Sequence, residues 1–201
     1  WLWAGLLAAM ATATRPNGVA LVAACAVASL LAIRNDREWR SLIAPAISPL
    51  GFIGFMWFLR MHTGEDMAWF RVQREAWQEG TSFGATAVQR TFDFFIHPVS
   101  SPTSVLTAAS VGAMLIGLYM ARKYKMNLIY WSYTAVILGL MLIPATVTAR
   151  PRFLFTAFPL FFPVARALRD DEDKWWPLVV VIMVGGLVTV TGIYGVRGAI
   201  P

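Results

Sequence analysis

The sequence predicts an all-α polytopic integral membrane protein. It should have about six to seven transmembrane or re-entrant helices, and interfacial amphipathic helices in one long extracytoplasmic loop. Three observations lead there. Of 201 residues, 58% are hydrophobic and only 14% charged, with a mean hydropathy of +0.60, whereas soluble domains run near a quarter charged. The 17 Lys and Arg, the 11 Asp and Glu and both His residues all fall between apolar runs. Nine Trp, thirteen Phe and five Tyr supply the aromatic load of a chain that meets bilayer interfaces. A cytosolic enzyme, a disordered chain and a coiled coil are excluded by the same numbers.

A spanning helix needs about 20 mostly apolar residues, because the hydrocarbon core is about 30 Å thick and each residue rises about 1.5 Å. Runs free of Asp, Glu, Lys, Arg and His cover 1–14, 16–33, 41–59, 104–121, 126–149, 153–165 and 175–196. The first is too short to span alone. It opens at Trp1, without Met or a basic n-region, so residues 1–201 are expected to be a single membrane domain forming the C-terminal part of a longer chain. Pro45, Pro49, Gly51 and Gly54 predict a kink in the third run. Run 153–165 is short and carries Pro159 and Pro163, which predicts a broken or re-entrant helix, tolerated where protein or a polar cavity surrounds it. The lone Cys25 forms no intrachain disulfide.

Orientation follows from the short basic connections. Arg34, Arg37 and Arg40 lie in one, Arg122, Lys123 and Lys125 in a second, and Arg166, Arg169 and Lys174 in a third. Placing these three in the cytoplasm satisfies the positive-inside rule and puts 15–16, 60–103, 150–152 and 197–201 on the opposite side. The net charge of +6 then finds its partner in anionic head groups of the bilayer and not in nucleic acid.

Residues 60–103 are too long for a simple connection and too apolar for a disordered tail, so they should pack on the membrane face. Thr63-Gly64-Glu65-Asp66 reads as a helix start, with Thr63 as N-cap. From there Trp69, Gln73 and Trp77 share one helical face. Val88, Phe92, Phe95 and Ile96 repeat the same spacing in a second helix. Ser101-Pro102 reads as the N-cap and first residue of the next span.

The chain has no Gly-x-Ser-x-Gly elbow, no Gly-rich phosphate loop with its lysine, no His-Glu-x-x-His and no Cys-x-x-Cys. Intramembrane proteolysis and nucleotide hydrolysis are therefore not expected of it. The informative residues are arginines on the outer face. Arg15 sits in a turn, Ala13-Thr14-Arg15-Pro16-Asn17-Gly18, and Arg150 and Arg152 bracket Pro151 at the head of the broken run. The positive-inside rule gives no reason for cations there. A guanidinium binds phosphate bidentately, so these three are candidates for a lipid-phosphate site. Snorkelling to head groups is the bland alternative. Glu65 and Asp66 are candidates to hold a divalent cation or sugar hydroxyls, Gln73 to hydrogen-bond a ligand, and Trp77 to stack on a sugar ring. Against that, two acids at a helix start complement its dipole, and tryptophans anchor at interfaces. The acidic run Asp170–Asp173 reads as a solvated turn, and His62 and His97 as interfacial residues.

The order Thr14-Arg15-Pro16-Asn17-Gly18, then Thr63-Gly64-Glu65-Asp66 with Ala68-Trp69-Phe70, Gln73 and Trp77, then Pro151-Arg152-Phe153 with Phe158-Pro159-Leu160, resembles the PIG-V-type mannosyltransferases. These are relatives of GPI mannosyltransferase II within the GT-C membrane glycosyltransferases. Bacterial members commonly show Thr-Gly-Asp and Ala-Phe where this chain has Glu65 and Trp69. The resemblance implies transfer of mannose from a polyprenyl-phosphate donor to a lipid, glycolipid or other acceptor on the extracytoplasmic face, with inversion. It implies Arg15 and Arg152, then Arg150, at the donor phosphate, and Gln73 and Trp77 at the sugar or acceptor, with Glu65 and Asp66 as polar or metal contacts. The catalytic base of the class, an Asp of the first extracytoplasmic loop, is expected upstream of Trp1, so no catalytic residue is assigned here. No cofactor is implied beyond a divalent cation, whose need is left open. The rival is a lipid or anionic-substrate transporter or flippase, which predicts internal repeats and mid-membrane ionisable residues; the sequence shows neither. A bacterial plasma membrane, or the endoplasmic reticulum in a eukaryote, is the expected location.

Overall fold

With no water in a bilayer core, an apolar run satisfies its own backbone best as a helix, and the apolar runs here fold accordingly. A computed structural model describes residues 1–76, 80–97, 102–145, 151–169 and 172–195. In chain order the first helices are α1 (Leu2–Thr14), α2 (Val19–Asp36), α3 (Ile43–Ile47), α4 (Leu50–Thr63) and α5 (Ala68–Ala76). They are followed by α6 (Ala85–Ile96), α7 (Pro102–Lys123), α8 (Leu128–Leu142), α9 (Pro151–Thr156), α10 (Phe161–Arg169) and α11 (Glu172–Gly195). Four helical segments, Pro16–Asp36, Trp39–Thr63, Thr103–Lys123 and Trp175–Gly192, are long and apolar enough to cross a membrane, and α1 and α8 are shorter apolar helices. The helices form two compact units, residues 1–81 with 127–140, and residues 82–126 with 141–201.

The first unit is built on close backbone approach, as expected where lipid offers no hydrophobic drive between helices and small residues let dispersion act. A Cβ on Gly18 would fall 2.6 Å from the Ala11 carbonyl oxygen, and one on Gly51 would overlap the Ala9 carbonyl and lie 2.7 Å from Thr12 Oγ1. The expected kink in run 41–59 is present as a break between α3 and α4 at Ser48-Pro49. Pro49 has no N–H to give the Pro45 carbonyl, and Ser48 Oγ donates to that carbonyl at 3.3 Å instead. From α1, the buried Thr12 hydroxyl shares its one hydrogen between the Ala9 carbonyl at 2.8 Å and, across to the α3–α4 break, the Ser48 carbonyl at 2.9 Å. At the other end of α2, the buried Ser29 and Ser41 hydroxyls meet at 3.0 Å.

The loop 60–103 holds two helices, α5 and α6, but Thr63 does not start the first of them. α4 runs on through Arg60 and His62 to Thr63, and Gly64 stops it in the left-handed region (φ 73°), its N–H bonded to the Arg60 carbonyl. That is the glycine C-terminal stop, so Thr63 closes α4 and α5 begins at Ala68.

In the second unit α7 is the central helix, with α6, α9 and α10 packed on it. Pro102 is its first residue, while Ser101 lies outside the described residues. The run 153–165 is broken, as expected, into α9, a short turn Phe158–Leu160, and α10. Among the described residues, the run 126–149 yields a helix from Leu128 to Leu142. The amides of Ser82, Phe83 and Gly84 bind the carbonyls of Leu142 and Ile143 at 2.8–3.3 Å and so cap its C-terminal end. Val88, Phe92, Phe95 and Ile96 are 56–72% exposed, so the apolar face of α6 is turned outward.

Candidate functional site

The turn after α1 is fixed by sequence. Pro16 ends the hydrogen-bonding of α1 and starts the next helical turn, Arg15 takes the extended conformation between them (φ −149°, ψ 144°), and its carbonyl accepts from Gly18 N–H at 2.9 Å. Gly18 is needed because Ala11 and Thr12 press on it. Arg15 is exposed and, among the described residues, has neither an ion pair nor a side-chain hydrogen bond. With Thr12, Thr14, Pro16, Phe52, Phe55 and Trp69 it lines a recess of about 90 Å³. The structure therefore brings the 14–18 turn and the 68–70 segment, more than fifty positions apart, to one place.

The acids of the corner between α4 and α5 are occupied. Glu65 accepts from Arg71 Nε at 2.7 Å, and Arg71 reaches Glu75 at 3.0 Å, while Asp66 pairs with Arg60 at 2.9 Å. Hydrogen bonds to Glu65 and then Glu75 push the Arg71 guanidinium further above its ordinary range, so it stays charged. All five side chains are exposed, where such pairs contribute little stability. They organise the corner from which α5 starts, with one oxygen of Glu65 and one of Asp66 each engaged by an arginine. Among the described residues no three His, Cys, Asp or Glu side chains gather as metal ligands. Along α5, Trp69 and Gln73 are half-buried, whereas Phe70, Val72 and Arg74 are exposed. The expected shared face is therefore present for those two residues. Trp77 lies outside the described residues, as does Arg150.

Arg152 belongs to the second unit and Arg15 to the first. Arg152 opens α9, is exposed, and lies over the Phe153 ring at 5.0 Å, a cation–π contact that positions the guanidinium without neutralising it. Arg90 of α6 has Nη1 buried and without a hydrogen-bond partner among the described residues; an unmatched buried donor is costly, and an anion would relieve it. Between α6 and α7 runs an open apolar groove of about 870 Å³, lined by Val88, Phe92, Val111, Met114, Leu115 and Leu142 among others.

Phe52, Phe55 and Arg90 are not among the residues that stand out in the sequence. The first two carried a signal, an aromatic pair at i, i+3 directly after Gly51 and thus on one face of α4. Arg90 carried none, since its burial depends on tertiary packing. No protein-family model, no curated protein and no solved structure matches the chain.

Proposed function

We propose that the protein is a polyprenyl-phosphate-sugar-dependent glycosyltransferase, a mannosyltransferase of the PIG-V type, acting at the extracytoplasmic face of a membrane with six to seven transmembrane or re-entrant helices. The observation that carries the proposal is the recess at the α1–α2 turn. It joins an unpaired arginine to an aromatic wall, and two of its residues, Arg15 and Trp69, come from segments that resemble the family.

In the reaction proposed, an acceptor hydroxyl attacks the anomeric carbon of the lipid-linked sugar, the bond from that carbon to the phosphate oxygen breaks, and polyprenyl phosphate leaves with the electron pair. The developing negative charge needs fixed positive donors. Arg15 is assigned to it, and the resemblance adds Arg152, with Arg150 third. Trp69 supplies an apolar face for the sugar ring beside Arg15, and Gln73, one helical turn on, offers an amide to its hydroxyls; Trp77 is assigned to the same sugar or acceptor side. The groove between α6 and α7 suits a prenyl chain by its apolar lining. Glu65 and Asp66 are proposed to shape the corner through Arg71 and Arg60. No residue of this chain is assigned as the base that takes the acceptor proton.

The test is transfer from labelled polyprenyl-phosphate-mannose in membranes that carry the complete protein. A charge-assisted hydrogen bond contributes about 1.5–3 kcal/mol, so Arg15→Ala should lower transfer by about 10- to 150-fold at equal protein level, with partial rescue by Arg15→Lys. Full activity in Arg15→Ala would remove the recess from the donor site.

A further inference from the structure

At one end of the second unit the last turns of α7 and α10 meet. The 151–169 segment runs parallel to α7. Leu160 packs on Gly117, where an added Cβ would lie 3.2 Å from its side chain, and six residues later Arg166 lies over Tyr124, seven residues on from Gly117, at 5.5 Å. Lys123 Nζ approaches the same ring at 5.7 Å. Two cations thus converge on one phenol, with exposed Arg122, Lys125 and Arg169 beside them in the chain. Among the described residues every ion pair belongs to Arg60 or Arg71, so none of these five is paired there.

One or two cations complement each of the two helix C-termini that meet here, yet Lys123 and Arg166 are drawn to a single ring, where like charges repel unless an anion joins them. On α10, Phe162, Arg166 and Arg169 follow at i, i+4 and i+7 and share an exposed face, and Phe158 meets Phe162 edge-on at 5.7 Å. The ridge is apolar first and cationic last, which is the profile of a phospholipid laid along it. We propose that this face binds the phosphate of an anionic bilayer phospholipid, with an acyl chain along Phe158 and Phe162. A lipid is favoured over a free anion because the cations close an apolar segment, Thr103–Lys123, of spanning length. Arg152 lies in the first turn of α9 and Arg166 in the last turns of α10, at opposite ends of the segment that runs along α7, so this site is separate from the donor phosphate. It rests on membrane placement alone and not on glycosyl transfer.

The complete protein in detergent, titrated with dioleoyl-phosphatidylglycerol or dioleoyl-phosphatidylcholine and read by native mass spectrometry, tests the proposal. Phosphatidylglycerol should be retained preferentially, and rising salt should weaken that retention in the wild-type protein. Each cation contributes about fivefold, so Lys123→Ala with Arg166→Ala should lower phosphatidylglycerol binding about 25-fold without changing phosphatidylcholine. Arg166→Lys, which keeps the charge, should retain the preference. Equal retention of the two lipids would overturn the proposal, and would be the result if the acidic run Asp170–Asp173 neutralised the patch. Salt-insensitive binding, or an unchanged double variant, would overturn it as well. Displacement by inorganic phosphate at matched concentration would make it a soluble-anion site and refute the lipid assignment.

Discussion

Gly51→Ala should loosen the contact that builds the recess, and its neighbour Gly54 provides the control. An added Cβ at position 51 overlaps the Ala9 carbonyl oxygen and lies 2.7 Å from the Ala9 carbonyl carbon and from Thr12 Oγ1. Carbon–carbon contacts settle at about 3.5–4.0 Å, so α1 and α4 must part by about an ångström. The Thr12–Ser48 hydrogen bond, 2.9 Å in the native packing, would then stretch to about 4 Å, beyond useful geometry. Overpacking costs about 1–3 kcal/mol, and a hydrogen bond inside a membrane about 0.6, at most about 1.7 kcal/mol. At Gly54 an added Cβ meets nothing within 4 Å, so Gly54→Ala keeps only the gain in helix propensity, up to about 1 kcal/mol. That gain is common to both substitutions and cancels between them, leaving Gly51→Ala less stable than Gly54→Ala by about 2–4 kcal/mol. Unfolding of the complete protein by SDS titration in mixed micelles measures the difference. Two variants within about 0.5 kcal/mol of each other would refute the close α1–α4 contact. Because Phe52 follows Gly51, the same variant should also lose sugar transfer.

Trp69→Ala should raise the KM for the lipid-linked donor, since it removes the aromatic wall beside Arg15, while Trp69→Phe keeps most of the activity; equal KM values for all three proteins would remove Trp69 from the sugar site. Chelation with EDTA should leave transfer unchanged, because Glu65 and Asp66 are engaged by Arg71 and Arg60; loss of transfer that added Mg²⁺ restores would contradict this. Thr12→Val keeps the shape of the side chain but removes its donor to the Ser48 carbonyl, and should cost about 0.6–1.7 kcal/mol in the same SDS titration; a variant as stable as the wild type would show that this bond contributes nothing.

The elements most legible in the sequence were those set by composition and by proline. The apolar runs became helices, and the Pro45 and Pro49 pair became a break at Ser48-Pro49. The Pro159 and Pro163 run was split at Ala157. The amphipathic spacing of Val88, Phe92, Phe95 and Ile96 became one face of α6. Where two local signals compete, the packing around them decides. Thr63 with acids behind it resembles an N-cap, but Arg60 and His62 in the last turn followed by Gly64 form an equally readable stop, and the stop prevails because apolar α4 continues into it. The end of α8 was not legible at all. Its carbonyls are capped by Ser82–Gly84, some sixty positions away, and no local window contains that. The same holds for the recess: Arg15 could be singled out by its place in an outer turn, but that Trp69 and Phe55 stand beside it depends on how α4 and α5 fold back on α1.

Sugar transfer by membranes carrying the complete protein, supplied with labelled polyprenyl-phosphate-mannose and native lipid extract, tests the central claim most directly. Glycosyl transfer predicts label in a new glycolipid, and loss of that product with Arg152→Ala far beyond any loss of protein. Label that stays on the polyprenyl carrier, or merely changes leaflet, in the presence of well-inserted protein would contradict it and favour a transporter.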